Sequence, residues 1–311
     1  MLSTLRAVAA RSRYSHSLAF VHSTRTMSHA TQNTITPTPV TAACCIIGDE
    51  ILNGKTKDSN SHFLAKYLFD CGIDLKRIEV VGDDYGAIAE TVTRLSSQHD
   101  LVFTSGGIGP THDDISYEAI ARAYSLDLKL DNDTCVAMEK VMRPKIVHWE
   151  LTEARKRMAI FPYPAEIIRT NPEELWVPVV VVNSNIHILP GIPRLFERLI
   201  TLLRPRFDRL VDEKGGMGRY YRVQVATKLP EGEIAPCLSE LQKQVDKKNL
   251  KIGSYPKWGV TEDGTRVVVS VVGRDQADVK HIGDQLVDQI EGRILNPLEA
   301  IEHGEAQKEL P

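Results

Sequence analysis

The sequence predicts an α/β fold in three layers, a mostly parallel sheet with helices on both faces, followed by a small α+β carboxy-terminal domain. Three observations carry this expectation. Strand-like and helix-like patterns alternate three times between Ala42 and Tyr124 with short connections, as a parallel sheet requires. Each of these strands runs into a loop bearing glycine and acid. Past Lys214-Gly215-Gly216 the pattern restarts in smaller units.

Element by element, Ala42 to Ile47 is a short apolar run suited to a buried strand, followed by Gly48. In the helix expected over Asp58 to Cys71, Phe63, Leu64, Tyr67, Leu68 and Cys71 share a face and Gly72 closes it. Ile73 to Val81 is a second strand, and Asp83 or Asp84 opens a helix carrying Ile88, Val92 and Leu95. Leu101 to Thr104 is a third strand, after which Ser116 can cap a helix running to Tyr124. Residues 131–160 read as helical and less regular. Val177 to Asn183 and Ile186 to Leu189 are strands around an Asn183-Ser184-Asn185 turn. One long helix with Leu195, Phe196, Leu199, Ile200 and Leu203 follows Pro190-Gly191-Ile192-Pro193. The small unit combines strands at Tyr220–Ala226, near Lys251–Tyr255 and at Arg266–Val272 with two helices. One buries Ile234, Leu238, Leu241 and Val245, the other Val279, Ile282, Leu286 and Ile290. The expected organisation is an arm and linker over 1–40, a three-layer domain over 41–212, a small domain over 218–295 and a tail over 296–311.

In an open parallel sheet, ligands bind outside the carboxyl ends of the strands. Three loops fall there: Gly48 to Gly54, Gly82 to Gly86, and Ser105 to Asp114. In the third, Gly106, Gly107 and Gly109 let backbone N–H groups approach an anion, with hydroxyls from Thr104, Ser105 and Thr111 beside them. Asp113 and Asp114 would repel a phosphate unless a divalent cation lay between, and Asp83 and Asp84 can supply further metal ligands. The residues therefore point to a phosphorylated small molecule bound with a divalent metal. The competing reading makes Asp83, Asp84 and Asp114 helix caps and the glycines tight turns. Asn60 either reads a ligand amide or caps its helix. His62, His112, His148 and His187 share no metal-ligand spacing. Cys44 and Cys45, inside an apolar strand, read as core. Ser254 to Gly259 offers an aromatic pair for stacking and Lys257 for phosphate, or else a turn sealing the contact between the domains.

GDEILNGKTKDSN (48–60), VVGDD (80–84) and TSGGIGPTHDD (104–114) together resemble the molybdopterin-binding, MogA/MoaB-like domain. The form is the one shared by the CinA family and the amino-terminal half of animal FAD synthases. The resemblance runs from about 41 to about 295 and includes VVVVNSNIHILPGIP (179–193) and KIGSYPKWG (251–259), which resemble the FAD-synthase type. It implies a dinucleotide diphosphatase acting on FAD or ADP-ribose with a divalent metal, cobalt or magnesium, and potassium. On that reading Asp83, Asp84 and Asp114 hold the metal, assisted by Asp49 or Asp113. The N–H groups of Gly106, Gly107 and Gly109 stabilise phosphoryl charge, and Pro190-Gly191 lines the nucleoside pocket. Neither an adenylyl-transferring domain nor a CinA amidase domain follows residue 295, so FAD synthesis and nicotinamide mononucleotide deamidation are not expected. Bacterial members carry Asn-x-x-Gly-x-Ala-Pro-Gly where this chain has Asn171 to Pro178, so their nucleotide contacts do not transfer directly. Adenylylation of molybdopterin, and a non-catalytic flavin or nucleotide sensor, are the alternatives.

Composition bounds the partners. The 311 residues carry a net charge of −3, with 42% hydrophobic and 25% charged side chains. That balance gives no general case for nucleic acid. No apolar run approaches the ~18 residues of a membrane span. A homo-oligomer is compatible with the reading. The five cysteines, odd in number and without CxxC spacing, fit a reducing compartment rather than a disulfide framework. Charge is uneven: residues 1–48 hold Arg6, Arg11, Arg13 and Arg25 with no acid. An arginine-bearing, Ser/Thr-rich, acid-free arm is the composition of a mitochondrial transit peptide, and TITPTP (34–39) reads as an extended linker. Initiation at Met27 would leave a cytosolic form. A chain starting at Met27 should lose mitochondrial import, scored by fractionation, yet keep full activity. Import of the Met27 form with the full chain left in the cytosol would reverse the assignment.

Overall fold

The computed structural model describes residues 38–171, 173–257, 261, 263–296 and 299. The arm and most of its linker, nearly all of the tail, Pro172, and Trp258 and Gly259 lie outside the described residues. The first part of the chain comprises β1 (Thr41–Ile47), α1 (Asp49–Leu52), α2 (Asn60–Asp70), β2 (Asp74–Val81), α3 (Tyr85–Gln98), β3 (Leu101–Ser105) and α4 (Ser116–Ala123). It continues through β4 (Asp127–Leu130), α5 (Asn132–Met142), α6 (Glu153–Arg157), β5 (Ile160–Tyr163), β6 (Glu166–Ile168), β7 (Val179–Val182), β8 (Ile186–Leu189), α7 (Pro193–Leu202) and α8 (Arg204–Glu213). The second part has β9 (Tyr221–Thr227), α9 (Glu231–Val245), β10 (Lys251–Pro256), β11 (Val267–Gly273), α10 (Gln276–Gln289) and β12 (Arg293–Ile294).

Six strands form one sheet in the order β2-β1-β3-β8-β7-β6. The first four are parallel; β7 runs against β8 and β6. The alternation of β1 divides the core. Ala42, Cys44 and Ile46 face Leu64 and Leu68 of α2, Phe196 and Leu199 of α7, and Phe207 of α8. Ala43, Cys45 and Ile47 face Ile88, Val92 and Leu95 of α3 and Ile120 of α4. A three-layer α/β/α arrangement results, and each leucine so buried contributes about 2 kcal/mol. Burial pushes the Cys44 thiol well up and the Cys45 thiol to about 12, so both are inert core.

Four details depart from the expected elements. Residues 131–160 hold two helices, and the strands β4 and β5 pair as a separate antiparallel ribbon. β6 adds an antiparallel edge beside β7. The expected long helix is two, α7 and α8, because Pro205 lacks an N–H and its ring clashes with the preceding turn. The short strand β12 completes a four-stranded antiparallel sheet, β10-β11-β9-β12, whose Val225, Val269 and Val271 pack on Ile234 and Leu241 of α9 and Ile282 and Leu286 of α10. Among the described residues no helix is long and apolar enough to cross a membrane.

Strand register aligns the carboxyl ends: Ile47 pairs with Val81, Ile46 with Ser105, and Ser105 with Leu189. The small domain meets β2 at its other end. Arg274 donates to Asp74, the first residue of β2, at 2.8 Å, and to the carbonyls of Gly72 and Gly218 at 3.0 and 2.7 Å. Its guanidinium lies 4.0 Å over the Tyr220 ring, whose hydroxyl also donates to Asp74.

His187 of β8 is buried, with Nδ1 2.9 Å from the Asn185 carbonyl, and desolvation lowers its pKa to about 4. The unfolded chain, with an ordinary histidine pKa of about 6.5, therefore takes up the proton first. Stability is complete above about pH 6.5 and falls as pH drops toward 4, losing about 2 kcal/mol by pH 5. Urea unfolding of His187→Gln should show most of that slope removed. An unchanged slope would contradict the assignment.

Candidate active site at the carboxyl edge of the sheet

Because the strand ends are level, the loops after β1, β2, β3 and β8 meet. Their meeting depends on glycine. Gly106 sits at φ 117° with its N–H donating to the Leu189 carbonyl at 3.2 Å, and a Cβ there would collide with the Ile47 carbonyl. Gly107, at φ 65°, lies against the Ser116 hydroxyl, which donates to the Gly106 carbonyl at 2.8 Å. Gly191 lies against the Gly106 backbone.

A cavity of about 450 Å³ opens at this edge, walled by Asp49, Glu50, Asp83, Asp113 and Asp114, with Gly107 and Lys55. The Asp49 N–H donates to Asp83 Oδ2 at 3.1 Å. Burial, reinforced by the Asp49, Glu50 and Asp113 carboxylates, holds the Asp83 carboxyl above the ordinary range despite that bond. A narrower notch of about 60 Å³ shares Ile47, Glu50 and Thr56 with the first cavity and reaches Asn60, Ser105 and Gly191. Asn60 is the inward-facing residue of the first turn of α2, one turn before Leu64. Its Nδ2 donates to Ser105 Oγ at 2.9 Å and to the Gly191 carbonyl at 2.8 Å, while its buried Oδ1 has no partner among the described residues. Ser105 Oγ lies 3.4 Å from the Pro190 carbonyl.

The expected residues thus divide. Asp49, Asp83, Asp113, Asp114 and Gly107 surround the acidic cavity, and Asn60, Ser105 and Gly191 the notch. Others are engaged in structure. Asp84 does not line the cavity; it caps α3, accepting from the Ala87 N–H at 2.8 Å. Asp114, though on the wall, ties its own loop, accepting from the N–H groups of Gly109 at 2.6 Å and Thr111 at 2.8 Å and from the Thr111 hydroxyl at 2.5 Å. The amides of Gly106 and Gly109 are consequently spent, which leaves Gly107 as the N–H of the three free of such a bond among the described residues. Thr104 is fully buried within β3 and lines neither cavity. Among the described residues no three His, Cys, Asp or Glu side chains are gathered to hold a metal by themselves. Of the segment around Lys257, neither Tyr255 nor Lys257 lines these cavities.

Sequence reading took Gly48 to Gly54 as a site loop but singled out only Asp49 in it, and it missed the connection from α1 to α2 that follows. Glu50, Asn53, Lys55 and Thr56 line the larger cavity, and Lys57, Asp58 and Ser59 the notch. They lie inside the 48–60 motif, between the residues that drew attention to it. The Thr56 N–H donates to the Glu50 carbonyl at 2.9 Å and the Lys55 N–H to Asn53 Oδ1 at 3.0 Å, folding the loop back over the strand ends.

Comparison with known proteins places both parts. Residues 43–209 match a family described as a probable molybdopterin binding domain, and residues 219–299 one described as the middle domain of FAD synthase. A probable FAD synthase of Caenorhabditis elegans is 33% identical over 239 residues, covering 71% of this chain and 44% of the relative. The chain thus spans less than half the length of that relative. A protein of Archaeoglobus fulgidus is 30% identical over 234 residues, 75% of this chain and 91% of its own length. The crystal structure of the protein CinA from Thermoplasma acidophilum, of unknown function, is 30% identical with a TM-score of 0.47, covering 54% of this chain and 98% of that one. With more than half of its length matched by the first family, the chain belongs to the probable molybdopterin-binding domain family, and carries a FAD synthase middle domain behind it.

Proposed function

We propose that this chain is a metal-dependent dinucleotide diphosphatase, hydrolysing FAD to FMN and AMP, or ADP-ribose to AMP and ribose 5-phosphate. The reading rests on one observation: an acid-walled cavity and a hydrogen-bonding notch that reaches Asn60 and Ser105 share a wall at the carboxyl ends of the strands. Carboxylates facing a diphosphate repel it unless cations intervene. The donors present fit a divalent ion bound together with the diphosphate. Asp83 and Asp49 supply one or two carboxylates and the substrate oxygens complete the set, the mode in which magnesium is usually held. Cobalt suits the same donors, and potassium is proposed as a further counter-ion to the acids. Such an ion supplies Lewis-acid polarisation of the phosphoryl group.

The chain's own groups do the rest. The Gly107 amide and the Lys55 ammonium face the cavity where phosphoryl charge develops. Glu50, on the shared wall, is placed to accept a proton from the attacking water. The unpartnered Oδ1 of Asn60 is an acceptor suited to a ribose hydroxyl of the substrate. The FAD synthase middle domain and the C. elegans relative favour a flavin dinucleotide. The description of the first family favours, as a second reading, adenylylation of molybdopterin at the same carboxylates.

Product analysis by mass separates these. The full chain is incubated with FAD, with ADP-ribose, and with molybdopterin and ATP, in potassium with cobalt, magnesium or chelator. The expected result is FMN and AMP from FAD, abolished by chelation without unfolding and restored by the divalent ion. Undiminished turnover after exhaustive chelation contradicts the metal, an adenylylated pterin supports the second reading, and no product from any candidate leaves a non-catalytic nucleotide sensor.

A further inference from the structure

A cleft of about 900 Å³ lies between β2 and the small domain, away from the carboxyl edge. It runs along β2 from Asp74 to Ile78, and the acidic cavity begins past the end of the strand at Asp83, five residues or roughly 16 Å further on. Lys76, Arg77, Lys251 and Arg274 line the cleft against a single carboxylate, Asp74. That balance is the reverse of the chain's net charge of −3 and of the acidic cavity at the other end of the strand.

The cations are not all engaged. Asp74 already accepts from Lys76 at 2.7 Å, from Arg274 at 2.8 Å and from the Tyr220 hydroxyl, which holds its carboxyl below the ordinary range. One carboxylate thus serves two cations. Arg77 meets Glu79 at 3.3 Å, but Glu79 is claimed by two bonds from Arg94 at 3.0 and 2.7 Å. Lys251, at the exposed start of β10, has no ion pair among the described residues. Arg274 is pinned by the two carbonyls and the Tyr220 ring, and so fixes the cleft's geometry. Both faces of that ring are taken, by Arg274 and by Phe69 stacked at 4.9 Å, so no flat aromatic group is invited to stack on it.

The geometry points to a second ligand site in this cleft, for a small anion bearing phosphate groups, held by Arg77, Lys251 and Lys76 from the two domains. Arginine supplies a planar fork and the lysines supply mobile charge, the combination that phosphate recognition uses. A site at a domain boundary with a volume in the range of small-ligand pockets suits such a molecule. The inference does not depend on the diphosphatase reading, because it involves none of the same residues.

Titration calorimetry with inorganic diphosphate, on the full chain in chelator, tests it. The expected result is saturable binding that weakens at least tenfold in the Arg77→Ala/Lys251→Ala double variant and persists in Asp83→Asn. Both replaced side chains are exposed, and matching far-ultraviolet dichroism of the variants guards against misfolding. Absence of binding, binding indifferent to the double variant, or binding lost in Asp83→Asn overturns the site. Tighter retention of a polyglutamate peptide than of diphosphate would overturn the assignment to phosphate in favour of an acidic protein partner.

Discussion

The arrangement depends on one close approach. At residue 106 the backbone after β3 passes so near the Ile47 carbonyl at the end of β1 that no side chain fits, and its φ of 117° is one that L residues rarely adopt. From that contact the rest follows. Ser116 fastens the Gly106 carbonyl to the start of α4, Leu189 receives the Gly106 amide, and Asn60 bridges Ser105 to Gly191. The segments after β1, β3 and β8 are thereby held together by hydrogen bonds among their own groups, and the Asp49 N–H, donating to Asp83, ties in the loop after β2. A site built on strand ends in this way is more rigid than one carried on free loops.

The acids at this edge do two kinds of work. Asp84 and Asp114 satisfy backbone N–H groups, Asp84 at the head of α3 and Asp114 across its own turn. Such bonds contribute roughly 1 kcal/mol each. Asp83 and Asp49 line the cavity without capping a helix, and Asp83, which accepts from the Asp49 N–H, is partly desolvated beside like charges. On the proposed function these are the acids that would take the cation. The two roles alternate along the chain, one residue apart in Asp83-Asp84 and Asp113-Asp114, because successive side chains leave a turn in different directions.

Much of the fold was legible. The parallel alternation, the two-sided burial of β1, the turn at Asn183-Ser184-Asn185 and the packing faces of α9 and α10 all follow from apolar spacing. The ribbon of β4 and β5 was not, because the Asp-Leu-Lys-Leu alternation of β4 spans only four residues and the strand is exposed along its length. The break at Pro205 was hidden by an apolar face that continues through Leu203 to Phe207. At the site, the loops were legible as glycine and acid, while the division of labour among the acids was not. Capping and ligation call for the same residue, and only the direction of the side chain tells them apart. Lys55 and Glu50 carried no signal of their own because charged residues in a loop ordinarily face solvent.

The small domain joins at the far end of β2 through Arg274 and Asp74, so the carboxyl edge is furnished by the first domain, none of its described lining lying beyond Pro193. The central claim is that the chemistry belongs to the acids turned into that cavity and not to those that cap. The direct measurement compares turnover and melting temperature of Asp83→Asn, Asp49→Asn and Asp84→Ala. The account predicts a rate loss on the order of 100-fold in the first two with little change in melting. Asp84→Ala should be less stable by about 1 kcal/mol and nearly fully active. Full activity in Asp83→Asn with a large loss in Asp84→Ala would contradict it.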